Sequence, residues 1–189
     1  MSEDNFHVHG PHEHEVEHLA EHDPFAGRIA VATAIFATIG ALFGYMSGKM
    51  QNDALIYKNE AAIRRTEASD QWNFYQAKSS KQNLAELGAA LTSGEAQARY
   101  QKEVERYNKE KNEIMPEAKK LEQQSKEAEE KAEAAMHVHH RWAQATTLIQ
   151  IAIALAAITI LTRNKGLMYV AFAVAGASAV VGALAYAHI

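Results

Sequence analysis

The chain has 189 residues, a formal net charge of -4 and no Cys, which excludes disulfides, thiolate nucleophiles and Cys-based zinc sites. Its charges are segregated: residues 29–48 and 142–162 carry none, 166–189 none apart from the titratable His188, and 49–141 hold 16 basic and 16 acidic groups. That balanced block lacks the net basic face that nucleic-acid binding requires.

Residues 1–27 form an acidic tail with seven carboxylates and no Lys or Arg, broken by Gly10, Pro11 and Pro24. A secretory signal has a basic start, so none is expected here. His7, His9, His12, His14 and His18 give the tail a set of imidazoles, the commonest side-chain ligands for zinc, copper and nickel. The reading allows weak capture of a divalent ion; the plainer alternative is a solvated low-complexity tail. No other cofactor is expected. Asp23-Pro24 suits a helix start, with Asp as N-cap and Pro in the first turn.

Residues 28–48 are predicted to be the first transmembrane helix, about the length that a ~30 Å hydrocarbon core requires. Gly40, Gly44 and Gly48 recur at spacing four, a track that lets another helix approach closely. Residues 49–141 are predicted to be an antiparallel helical hairpin with its turn near 92–94, where Thr92-Ser93-Gly94 is the clear turn signal. Thr92 or Ser93 is expected to cap the returning helix. The outgoing arm has two apolar stripes. Both are partial: one frame runs through Ala54, Tyr57, Ala61, Arg64, Ala68, Gln71, Tyr75, Lys78, Gln82, Ala85 and Ala89; the other through Ile56, Ile63, Ala77, Leu84 and Leu91. Two stripes imply contact with more than one neighbour.

The returning arm carries an alternating 3-4 ladder: Tyr100, Val104, Tyr107, Lys111, Ile114, Ala118, Leu121, Ser125, Ala128, Ala132, Ala135, His139 and Trp142. Lys, Glu and Gln fill the positions between, which is the heptad pattern of a coiled coil. Pro116 removes one backbone hydrogen bond and is expected to kink this helix. Residues 142–162 are predicted to be the second transmembrane helix, with Gln144, Thr146, Thr147 and Gln150 placed to bond across helices. A basic loop, 163–166, leads to a third, 167–189, where Ala171, Ala175, Ala179, Ala183 and Ala187 repeat at spacing four, a small-residue stripe that Gly176, Ser178 and Gly182 widen. The predicted fold is therefore all-α: three transmembrane helices with a long coiled-coil hairpin between the first and second.

Three spans put the tail and the basic loop on one side of the bilayer and the hairpin on the other. Short loops obey the positive-inside bias best, so Arg163 and Lys165 favour a non-cytoplasmic hairpin; the acidic tail argues the other way.

No enzyme is expected. The chain lacks a P-loop, a dinucleotide fingerprint and an HExxH motif, and its carboxylates alternate with Lys and Arg as on solvated helix faces. Beyond Arg28 at the mouth of the first, no span contains Asp, Glu, Lys or Arg, which speaks against transport by a single subunit. His137, His139 and His140, with Arg141 and Trp142, read as headgroup-zone residues before a metal or pH-sensing cluster. Trp72, Phe74 and Tyr75 stand among amides and hydroxyls, a composition that suits either a contact surface or a polar seam.

Three runs carry a family resemblance: HDPFAGRIAV at 22–31, YKNEAAIRRTEASDQWNFYQAKSSKQNLAEL at 57–87 and HHRWAQATTLIQIAIALAAITILTR at 139–163. They resemble a family of uncharacterised bacterial membrane proteins known only as a domain of unknown function. The resemblance implies a bacterial inner-membrane protein and carries no activity, cofactor or catalytic residue. The function expected from spans and heptads is structural or scaffolding, through homo-oligomers or with a protein partner. A metal- or pH-responsive sensor acting through the tail and an oligomeric pore are the alternatives.

Overall fold

The computed structural model describes residues 24–187. The tail histidines His7, His9, His12, His14 and His18 lie outside the described residues. Among the described residues the chain is helical apart from its two short connections and its last residue, with no strand. Helix α1 spans Pro24–Leu91, α2 spans Glu95–Thr162 and α3 spans Lys165–Tyr186. Two compact units result: among the described residues, 24–51 and 136–187 form the first, and Asn52–Ala135 form the second.

In the first unit the start of α1, the end of α2 and α3 pack as three helices. Phe36, Ile149, Ala152 and Ala175 make one core cluster; Ile29, Ala156 and Ala171 make a second. Aromatic rings add to it. Phe43 lies 5.3 Å from Trp142, and Phe36 meets Phe172 edge-on at 5.5 Å. The outer face is just as apolar, with Val31, Leu42, Leu161, Val180 and Tyr186 exposed. The most apolar 18-residue windows of α1, α2 and α3 have mean hydropathies of 1.9, 2.0 and 2.1, yet only 11%, 28% and 22% of them are buried. A helix apolar on its outward side as well as its inward side suits lipid, not water. All three helices are long and apolar enough to cross a membrane.

The second unit is an antiparallel helix pair. Contacts between the arms join Arg65 to Glu129, Trp72 to Glu122 and Lys78 to Glu110, so partner numbers fall as the others rise. Ala54, Ala61, Ala68 and Ala85 of α1 face Ala118, Leu121, Ser125, Ala128 and Ala132 of α2 in the buried seam. Small side chains bring the backbones close. The Ser125 hydroxyl reaches across and donates to the Ala61 carbonyl at 2.9 Å. A buried hydrogen bond of this kind contributes about 1 kcal/mol and fixes the relative register of the arms.

Gly94 makes the reversal. Its φ is +64°, in the left-handed region that glycine enters without Cβ strain, and its carbonyl accepts the first bond of α2 from the Ala98 amide. Gly94 is thus the cap of α2, not Thr92 or Ser93. Thr92 closes the preceding helix by donating to the Gly88 carbonyl at 2.7 Å, and Gln97 donates to the Ala89 carbonyl at 3.1 Å. Helix α2 runs unbroken through Pro116. The ring sits on the exposed side, where water can satisfy the Asn112 carbonyl that proline leaves without its amide partner.

The α2–α3 connection is tight. Arg163 adopts φ 53°, and Asn164 caps α3 by accepting from the Gly166 amide at 2.8 Å. Replacing Asn164 with Ala is expected to lower the stability of the three-helix unit by about 1 kcal/mol, whereas Asn164→Asp, which keeps an acceptor oxygen, should stay near wild type. Equilibrium unfolding in mixed micelles reads both; equal losses would remove the capping role.

Candidate functional site

The returning ladder lies on the inner side of α2. Ala118, Leu121, Ala128 and Ala132 are buried; Tyr100, Val104, Tyr107, Ile114 and Ala135 are half-buried. The ladder does not stop at Trp142. After one doubled step of three, from His139 to Trp142 and from Trp142 to Ala145, the alternation of three and four resumes through Ile149, Ala152, Ala156 and Thr159, and all six residues from Trp142 to Thr159 on this line are buried. The renewed spacing of three and four is itself legible in the sequence, since an a/d stripe is geometric and is indifferent to lipid or water outside it.

The small residues of the first unit divide differently. A Cβ on Gly40 would meet the Ile149 Cγ2 at 3.1 Å, while Gly44 and Gly48 have nothing within 4 Å and are exposed. In α3 the inward residues are Ala171, Ala175, Ser178, Gly182 and Ala185, while Ala179 and Ala183 point outward. Four residues turn an α-helix about 400°, so a strict spacing of four drifts around the helix by about 40° per step. Alternating four and three holds one face. Ser178, fully buried, donates to the Ala145 carbonyl at 2.7 Å. By contrast, Thr146 and Thr147 bond within their own helix, to the Trp142 and Ala143 carbonyls, and Gln144 and Gln150 are exposed. A helical threonine reaches the carbonyl one turn back more readily than a neighbouring helix.

His139 is a point of attachment between α1 and α2. Its Nδ1 lies 2.9 Å from the Ser47 carbonyl oxygen and 3.1 Å from the Ser47 hydroxyl. A carbonyl only accepts, so Nδ1 carries the proton and donates. His137 and His140 are exposed, and no group of His, Asp or Glu among the described residues is arranged to hold a metal ion.

The aromatic stretch of α1 splits between two faces. Trp72 and Tyr75 are half-buried and meet edge-on at 5.5 Å; Phe74 is 58% exposed. The Trp72 indole donates to Glu122 at 2.9 Å, and the Lys111 ammonium lies 5.3 Å from the Tyr75 ring centre. Beside Trp72 opens a groove of about 550 Å³, lined by Arg65, Asn73, Gln76, Lys126 and Glu129 among others. Its Arg65–Glu129 pair is exposed, the setting in which an ion pair contributes little. Nearer the turn, Glu110 meets Lys78 across the arms and Arg106 along its own helix.

The Lys78 hydrogen bond, with the charges of Lys78 and Arg106, holds the Glu110 carboxyl below the usual carboxylate range. A depressed folded-state value means that the contribution is complete above the usual range and is lost as pH falls through the folded value. Acid is expected to lower the melting temperature of wild type more than that of Glu110→Gln, with the two converging at low pH. Parallel acid limbs in circular-dichroism melts would contradict this.

The second stripe of α1 is left without a partner among the described residues. Ile56, Ile63, Asp70, Ala77, Leu84 and Leu91 follow one another every seven residues, and all six are exposed. Leu84 and Leu91 reach 68% and 76% exposure.

An all-α chain with a hairpin of two long helices and three helices suited to a bilayer defines the class: a helical protein of membrane type with a coiled-coil hairpin. The chain belongs to the family described as Domain of unknown function (DUF4337), whose model matches residues 25–188. No curated protein and no solved structure is similar to it.

Proposed function

We propose that this protein is a non-enzymatic, homo-oligomeric scaffold of a bacterial inner membrane. Its three apolar helices cross the bilayer, and its hairpins assemble on the non-cytoplasmic face. The observation that carries this reading is the exposed stripe of the outgoing arm. Ile56, Ile63, Leu84 and Leu91 stay open to solvent at half of their surface or more while the alanine stripe of the same arm is buried. A solvated helix has no physical use for a second apolar line at heptad spacing unless another helix covers it. Outward-facing Gly44 and Gly48 add a place where spans of neighbouring copies can approach closely.

Mass photometry of the detergent-solubilised full chain tests this. One discrete species larger than the monomer is expected at nanomolar concentration; a strictly monomeric population would remove the scaffold reading.

A further inference from the structure

The exposed stripe is wider than its apolar members. Between the six residues at spacing seven lie Asn59, Thr66, Asn73, Ser80 and Leu87, and each of these is also exposed. The two sets interleave as an alternation of three and four from residue 56 to residue 91, without a break over five heptads. This is the geometry of a second coiled-coil seam on a helix whose opposite side already fills one. Asp70 is its only charged member, although Lys58, Glu60, Arg65, Glu67, Lys81 and Glu86 lie on the same arm beside it.

We infer that this seam is the site where a second copy of the chain packs, parallel and in register, α1 against α1. The inference rests on the oligomeric reading above and specifies its geometry. Three physical points lead to a second copy in this orientation. Copies inserted into one bilayer with the same topology all run from residue 56 towards residue 91 in the same direction, so identical faces meet head to head. In a parallel, in-register pair the residue after each stripe position of the Asn59 series faces the partner residue that precedes the Ile56 series. Those facing pairs are Glu60 with Leu55, Glu67 with Ala62, Phe74 with Ser69, Lys81 with Gln76 and Gly88 with Asn83. None sets like charges together, which a parallel pair of identical chains meets whenever both flanks are charged alike. Finally, Asn59, Thr66, Asn73 and Ser80 along one side and Ile56, Ile63, Leu84 and Leu91 along the other penalise any slip that exchanges the two series, because it buries amides against aliphatic side chains.

Asp70 has a definite role in this arrangement. Symmetry brings the Asp70 carboxylates of the copies towards one another at the middle of the seam, where they oppose assembly. The seam is thus held below its full strength by one residue per copy. Neutralising that residue should tighten the assembly.

The native chain has no Cys, so single cysteines report contacts cleanly. Ile63→Cys, Leu84→Cys and, off the seam, Glu86→Cys are introduced into the full-length protein in native membranes and oxidised with copper phenanthroline. Ile63→Cys and Leu84→Cys are expected to form disulfide dimers, with Glu86→Cys about tenfold lower. Leu84→Glu in the Ile63→Cys background should cut dimer yield about tenfold, and Asp70→Asn should raise it several-fold. Equal yields at the three sites, or cross-linking of Ile63→Cys to Leu84→Cys when both variants are co-expressed, would overturn the inference. If mass photometry still shows a discrete oligomer while the seam cysteines stay reduced, the parallel seam fails and the oligomeric reading stands. A monomer in both experiments removes both.

Discussion

Replacing Ala118 with Asp is expected to unfold the hairpin unit. Ala118 is fully buried, at 0% exposure, in the seam between the two arms. An aspartate there is too short to bring its carboxylate out to water, and Ala118 sits where packing between helices leaves room for a methyl. An unpaired buried charge costs several kcal/mol, comparable with the whole stability of a small helical unit. The arms must part or the carboxyl must take up a proton. The same residue at the adjacent exposed position, Lys119→Asp, also loses helix propensity but buries no charge, and should cost only ~0.5 kcal/mol. Thermal circular dichroism of the full chain in detergent, with amide exchange across residues 52–135, separates the two. Equal melting of both variants would mean that the seam is not packed as described.

Gly182→Leu should break the three-helix unit in the same decisive way. A Cβ on Gly182 would stand 2.7 Å from the Phe43 Cζ and 3.1 Å from its Cε1, closer than carbon atoms tolerate. Phe43 cannot yield freely, because its ring is held 5.3 Å from that of Trp142. Overpacking of this kind costs about 1–3 kcal/mol, and the extra bulk of leucine puts the expected loss at the upper end. Gly176, on the same helix, has nothing within 4 Å of its would-be Cβ, so Gly176→Leu is the matched control. Adding Phe43→Ala to Gly182→Leu should restore part of the lost stability by making room. Trp142 fluorescence during unfolding in micelles reads all three variants; a Gly182→Leu protein as stable as Gly176→Leu would contradict the contact.

Much of this architecture is legible in the sequence because it depends on one chain's composition and period. Long uncharged runs, the ladder from Tyr100 onward and a lone glycine turn are local facts, and each translates directly into helix, seam or reversal. His139 and Ser125 stand on rungs of that ladder, so their inward position follows from spacing. Their partners do not. Ser47 carries no signal by itself, and only the packing of α1 on α2 brings it within reach of His139. Gly40, Gly44 and Gly48 are equivalent in sequence, but only Gly40 meets another helix of the chain.

The sequence alone determines that the chain is helical, that three of its stretches suit lipid, and that it doubles back at Gly94, where positive φ admits glycine without strain. The tertiary structure decides which of two competing stripes on the outgoing arm turns inward. It chose the alanines, Ala54, Ala61, Ala68 and Ala85, over the larger Ile56, Ile63, Leu84 and Leu91. Hydrophobicity alone would choose the reverse. The physical reason is distance: two arms that meet through methyl groups and a Ser125–Ala61 hydrogen bond come too close together to accommodate isoleucine or leucine between them.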